Sequence, residues 1–224
     1  MRTGTTVGAL RVASMVPVLY FGLQFAAAPF YRGYSFMARD ASTLGGPGSS
    51  WPGLFNVGCL CIGLATLIGA WGFRRAFDAL TVRPVIAWIT ALAVVSCGLG
   101  SINAGLFPLP DPRHTEGWLA ICGLGIFLLP FVLPIALWKL LEPGMKSYFI
   151  GNIIALVPLV LVMSGLVQRF SMMAGIQMPR FQTFLNGYQG LLQRIAAVIV
   201  FVPIGVSAWY LMRRMRVGTS VSGD

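Results

Sequence analysis

Six runs of about 20 mostly apolar residues, separated by short polar connections, limit what this chain can fold into. They fall at about 7–30, 53–73, 84–107, 117–138, 148–167 and 187–212. About 20 apolar residues are what a helix needs to cross a hydrocarbon core. Each run is therefore expected to be a spanning helix. The expected fold class is all-α: a polytopic membrane protein, with residues 1–224 forming one six-transmembrane-helix bundle. Composition agrees, since 57% of the 224 residues are hydrophobic and only 10% are charged. A soluble domain carries about 25% charged residues. Mean hydropathy of +0.80 leaves no water-facing surface and no room for a separate soluble domain. The first run ends in "FAAAPF", a cleavage-like pattern. Arg11 splits that run, however, and Pro29 would follow the cut, so the run reads as a retained helix.

The formal charge of +10 would suggest nucleic acid in a soluble protein. Here the basic residues flank the apolar runs, and no basic face stands apart from them, so no nucleic-acid partner is expected. Cys59, Cys61, Cys97 and Cys122 all lie within apolar runs. They read as small hydrophobes, without a disulfide framework. The Cys59–Cys61 pair has no His or acid nearby, and His114 is the only histidine, so neither a metal nor a cofactor is expected.

Orientation follows from Lys and Arg on the connections. With the N-terminus inside, nine lie on the inner side: Arg2, Arg74, Arg75, Arg83, Lys139, Lys146, Arg213, Arg214 and Arg216. Five lie outside: Arg32, Arg39, Arg113, Arg169 and Arg180. An even number of spans then puts both termini in the cytoplasm of a multi-pass protein of the cell (inner) membrane. Its partners are the lipid bilayer and a lipid or amphiphile ligand; the oligomeric state is open. The outer connections, about 31–52, 108–116 and 168–186, are the longer ones. The last reads equally as a re-entrant or interfacial segment and as a surface loop. In the third run, Gly100–Ala104 and Ser101–Gly105 are small-xxx-small pairs that let helices approach closely.

The unusual polar residues collect on the outer side. The first connection supplies Tyr34, Arg39, Asp40 and Ser42, and the second supplies Asp111, His114 and Glu116. Asn56 and Asn103 sit at helix ends, and Gln193 and Arg194 open the last run. Arg194 stands out, because an arginine inside a span costs roughly 2.5–3.5 kcal/mol at the bilayer centre on insertion scales and normally faces the bundle interior. Its expected partner is Asp40 or Asp111. Asp111 followed by Pro112 also reads as a helix N-cap. Asp111, His114 and Asp40 are the catalytic candidates, and a Ser42–His114–carboxylate arrangement can be drawn, although no G-x-S-x-G turn supports it. Arg194, Gln193, Arg39, Ser42 and Asn103 are the ligand-binding candidates.

Three stretches, "YSFMARDASTLGGPGSSWPGLFNVG", "GLFPLPDPRH" and "GLLQRIAAVIVFVPIG", together resemble a bacterial membrane-protein family known as domain of unknown function 998. The family's motifs fall on Ser42 to Gly45, on Gly105 to Asp111 with His114, and on Leu191 to Arg194. The resemblance runs from about residue 10 to 212 and implies a six-helix bundle without implying an activity. This chain departs from the pattern at Thr43, and it has Trp118 or an apolar residue where a second histidine is common. Three functions stay open. One is a site that binds or processes a lipid or amphiphile head group, with Arg194 and Arg39 holding an anionic group. Another is a non-catalytic structural or accessory subunit whose polar cluster locks helix ends. The third is a small transporter, which the scarcity of polar residues in the inner helix halves disfavours.

Overall fold

The computed structural model describes residues 3–163, 166–176 and 178–220. Arg2, Ser164, Gly165 and Gln177, which enter the orientation count, the fifth run and the third connection, lie outside the described residues, as does the side chain of Arg216.

Six segments are long and apolar enough to cross a membrane: Gly4–Phe30, Pro52–Ala79, Pro84–Leu106, Trp118–Leu137, Pro143–Met163 and Pro179–Met215. The helices that build them are α1 (Thr3–Ala27), α2 (Pro52–Ala79), α3 (Pro84–Leu106), α5 (Trp118–Gly123) with α6 (Leu129–Leu137), α7 (Pro143–Met163) and α9 (Pro179–Ser220). Two short helices, α4 (Arg113–Glu116) and α8 (Leu166–Met173), sit in the connections. No strand occurs among the described residues; a single antiparallel bridge joins Tyr31 to Ser49. The chain is an all-α six-helix membrane bundle.

Helix contacts follow the small residues. α2 lies between α1 and α3. A Cβ on Gly69 would press on Ala13, one on Gly72 on Ala9, one on Gly63 on Ile102, and one on Gly105 on the Asn56 carbonyl. Lipid tails are as apolar as leucine, so helices in a bilayer gain by close backbone approach, and glycine provides it. α9 packs along α1, where Gly205 meets Pro17, and carries α7 on another face. Of the apolar window of α9, 67% is buried, against 17% in α7. α9 is thus the central post and α7 an outer wall that leaves most of its surface to lipid.

The fourth run was expected to be one helix over 117–138. It is interrupted instead: α5 ends at Gly123, a 3₁₀ segment spans Leu124–Leu128, and α6 follows. The glycines explain the break. Gly123 packs on Gly100 and Gly125 on Ser96, whose Oγ donates to the Cys122 carbonyl. Glycine is a poor helix former, and Pro130 has no N–H to donate to the preceding turn.

The two ends of the bundle differ. One end, called here the loop end, carries residues 31–51, residues 107–117 and the first turns of α9. The other carries the start of α1 and the end of α9. There Arg74 lies over the Trp88 ring at 4.7 Å, Lys146 over Trp138 at 5.2 Å and Arg213 over Trp209 at 4.7 Å. Tryptophan with a basic neighbour suits a membrane–water interface.

Candidate functional site

Residues 34–41 cross the loop end as a tight turn, with the Arg39 N–H donating to the Ser35 carbonyl at 2.9 Å. The turn aims its carbonyls at α9, which meets it with five residues of "QGLLQR" (189–194). Gly190 has no side chain because the Arg39 backbone occupies that space. The Leu191 N–H donates to the Met37 carbonyl at 2.9 Å. Gln193 Oε1 accepts from the Ala41 N–H at 2.7 Å, and Gln189 Nε2 donates to Asp40 Oδ2 at 2.8 Å.

Arg194 closes this knot. Its Nη1 is shared among the carbonyls of Phe36 (2.8 Å), Arg39 (3.0 Å) and Gly190 (2.7 Å), and its Nη2 donates to the Tyr34 hydroxyl. The guanidinium also lies over the Phe36 ring at 4.9 Å. The expected partner was a carboxylate, and the structure corrects this: Arg194 pairs with neither Asp40 nor Asp111. A planar fork of five donors fits a turn of backbone carbonyls as well as it fits an acid. The turn supplies those acceptors without the cost of desolvating a second charge. Arg194 also lies about four turns into its helix rather than near its start, because α9 begins at Pro179, ahead of the run expected at 187.

Asp111 is engaged elsewhere. Its Oδ1 accepts from the Arg113 N–H (2.9 Å) and Nε (3.0 Å), and its Oδ2 from Nη2 (2.7 Å). Those Arg113 hydrogen bonds hold the Asp111 carboxyl below the usual carboxylate range. The Asp-Pro pair also opens the turn into α4, since Asp111 Oδ1 accepts from the first N–H of that helix and the Asp111 carbonyl accepts from the His114 N–H at 3.0 Å, with Pro112 in helical conformation between them. Asp40 behaves oppositely. Partial burial pushes its carboxyl up, offset in part by the Gln189 hydrogen bond and the positive field of Arg194.

Below the knot lies a cavity of about 390 Å³ whose lining includes Tyr20, Ser42, Ser101, Asn103, His114 and Thr115. His114 Nδ1 is 2.7 Å from the Phe107 carbonyl oxygen. A carbonyl only accepts, so Nδ1 carries the proton in the neutral ring and Nε2 is the bare acceptor. Asn103 is 3% exposed, and its Nδ2 donates to the His114 carbonyl at 2.9 Å. That bond fixes the amide orientation, since the reverse would set two oxygens against each other. Asn103 Oδ1 is then left buried without a partner. A second cavity, of about 510 Å³, adjoins the first and shares Tyr20, Ile126, Phe127 and Phe201 with it. Its far wall is apolar, with Leu156, Leu159, Val160 and Met163, and Gln193 lies at its edge.

The sequence candidates thus separate into groups. Ser42, Asn103 and His114 line the first cavity and Gln193 the second. Arg194, Arg39, Asp40 and Asp111 line neither. The Ser42–His114–carboxylate arrangement does not form, because a backbone carbonyl, not an acid, orients His114. Among the described residues no three of His, Cys, Asp and Glu cluster as metal ligands, and the four cysteines are free thiols. Sequence reasoning missed Gln189, Gly190 and the acceptor carbonyls of Phe36 and Arg39. A glycine directly before the L-x-Q-R motif was the available signal for the first two; backbone carbonyls leave no signal. It also missed Tyr20, which stacks on Phe201 at 4.2 Å between the cavities.

Fold and site define a multi-pass helical membrane protein whose loop end is tied by a knot of acceptors around one arginine. The family model described as protein of unknown function DUF998 matches residues 14–210, and the chain belongs to that family. No curated protein and no solved structure matches the chain.

Proposed function

We propose that this membrane protein binds an amphiphile, with the head group in the cavity beside Asn103 and His114 and the chain in the adjoining apolar cavity. The observation that carries this reading is the pairing of the two cavities: one has polar groups on its wall, the other is almost wholly apolar, and four residues border both. Each volume lies within the range of about 300–1,000 Å³ typical of small-molecule sites. Arg194 does not hold the ligand in this reading; it holds the turn that roofs the site. The loop end faces outward and both termini are cytoplasmic. The basic residues stacked on Trp88, Trp138 and Trp209 at the opposite end support this, because positive charge favours the cytoplasmic side.

Two measurements test this. Mass spectrometry of the full chain purified in mild detergent should find one class of amphiphile enriched over its share of the membrane; lipids in bulk proportion would overturn the reading. Reporter fusions after Lys139 should read cytoplasmic and one after Arg113 external, and the reverse would invert the orientation.

A second reading, an accessory subunit whose polar cluster only locks helix ends, is favoured by the Arg194 knot, whose Nη1 and Nη2 find their acceptors within the chain while Nε has none. It accounts for residues 34–41 and 189–194 and gives no role to the unpartnered Asn103 Oδ1.

A further inference from the structure

The cavity wall carries neutral polar groups and no Lys, Arg, Asp or Glu. Among its lining residues, Asn103 Oδ1 is buried without a partner, and His114 Nε2 is left bare by the Nδ1 bond to Phe107. The hydroxyls of Tyr20, Ser42, Ser101 and Thr115, on the same wall, can donate or accept. A phosphate or carboxylate would lose its hydration there without a counter-charge. An ammonium would find acceptors but no carboxylate, and a desolvated charge of either sign is costly. A hydroxyl donates one proton, fits both acceptors and carries no charge to bury. A buried acceptor left unmade costs free energy in the empty protein, and a hydroxyl in the cavity removes that cost.

We infer that the ligand is a neutral, hydroxyl-headed, long-chain lipid whose hydroxyl donates to Asn103 Oδ1 or His114 Nε2 and whose chain occupies the apolar cavity walled by Leu156, Leu159 and Met163. This rests on the amphiphile reading above and excludes the anionic head group that the arginine content of the sequence suggested. The chain passes from one cavity to the other along Ile126 and Phe127, which border both. The Tyr20–Phe201 stack is the remaining part of that partition.

The test uses the full chain in phosphatidylcholine nanodiscs and four probes with the same 18-carbon chain: oleyl alcohol, its methyl ether, oleate and oleyl phosphate. The alcohol at about 100 times its Kd should raise Tm by roughly 5–10 °C. The methyl ether, which has lost its donor, should bind at least about tenfold more weakly. Oleate and oleyl phosphate should give no shift. One of Asn103→Leu and His114→Phe should abolish preference for the alcohol over its ether, and Leu159→Trp should abolish binding of all chains by filling the apolar cavity. Equal binding of alcohol and ether, or preferred binding of either anion, overturns the hydroxyl assignment while the amphiphile site stands, provided Leu159→Trp removes it. If no probe shifts Tm, or Leu159→Trp leaves the shifts intact, the amphiphile reading falls as well. Should Asn103→Leu not fold, the alcohol–ether comparison on the unaltered chain decides the assignment alone.

Discussion

The knot around Arg194 and the cavity wall around Asn103 lie at the same end of one bundle and resolve their polar groups in opposite ways. In the knot the distal guanidinium nitrogens are taken up by protein acceptors: two carbonyls and a tyrosine hydroxyl of the turn, and the Gly190 carbonyl of α9. At the wall, Asn103 spends its donor on the His114 carbonyl, His114 spends its donor on the Phe107 carbonyl, and an acceptor of each side chain is left over. The difference separates a group that holds the fold from a group that waits for something else. Closed networks add rigidity, whereas a buried network left half satisfied costs stability. The second kind, kept beside a cavity, is the feature on which the proposed binding site rests.

The sharpest way to break the comparison is at Arg194. Arg194→Ala strips donors from the Phe36 and Arg39 carbonyls and unties the turn from α9. Unsatisfied buried acceptors cost about 1–3 kcal/mol each, so a loss of roughly 3 kcal/mol or more is expected in thermal or denaturant unfolding. Arg194→Lys should recover little, because an ammonium cannot present the planar fork. A loss below about 1 kcal/mol in Arg194→Ala would mean that the knot does not hold the loop end.

Gly190→Ala probes the same knot through its backbone. Alanine is favoured over glycine inside a helix by about 1 kcal/mol. Its Cβ would, however, run into the Arg39 carbonyl, carbonyl carbon and amide nitrogen together. Backbone cannot swing aside as a flexible side chain can, and overpacking costs about 1–3 kcal/mol. The clash should win, so the variant should melt below the parent; a rise in Tm would show that the turn is free to lift away.

Asn103→Leu is the counterpart at the cavity. It removes one satisfied bond, to the His114 carbonyl, and one unsatisfied oxygen. These oppose each other, so stability should change by less than about 1 kcal/mol although Asn103 is 3% exposed. A loss as large as that of Arg194→Ala would make Asn103 a structural residue and erase the contrast between the two regions.

How much of this was legible beforehand follows from the same contrast. The six spans could be read because lipid demands about 20 apolar residues each and leaves few alternatives. Ser42, Asn103 and His114 could be placed on one side because helix ends alternate across a bilayer. The partner of Arg194 could not, since every residue carries a carbonyl and nothing in composition says which turn will aim two of them at one guanidinium. The break after α5 was written in Gly123 and Gly125, but its reason, contact with Gly100 and Ser96 of α3, exists only in three dimensions.

Asp40 gives the smallest and most discriminating test. The sequence suggested it as a counter-ion to Arg194, in which case its carboxyl would be held below the ordinary range. Burial instead pushes it up, and the Gln189 hydrogen bond and the Arg194 field offset only part of that. The folded protein therefore holds the Asp40 proton to a higher pH than the unfolded chain does. Between the ordinary carboxylate range and the raised one, the native state binds more protons, so this group's contribution to stability falls as pH rises through that window. Asp40→Asn keeps an oxygen for Gln189 and removes the charge. At neutral pH it should melt at or slightly above the temperature of the parent, and the two should converge as pH falls below the ordinary carboxylate range, where Asp40 is protonated in both states. A counter-ion predicts the opposite: Asp40→Asn would melt lower at neutral pH, and the deficit would shrink on acidification as the parent lost its own ion pair. Unfolding curves for both proteins between neutral and acid pH settle which sign holds.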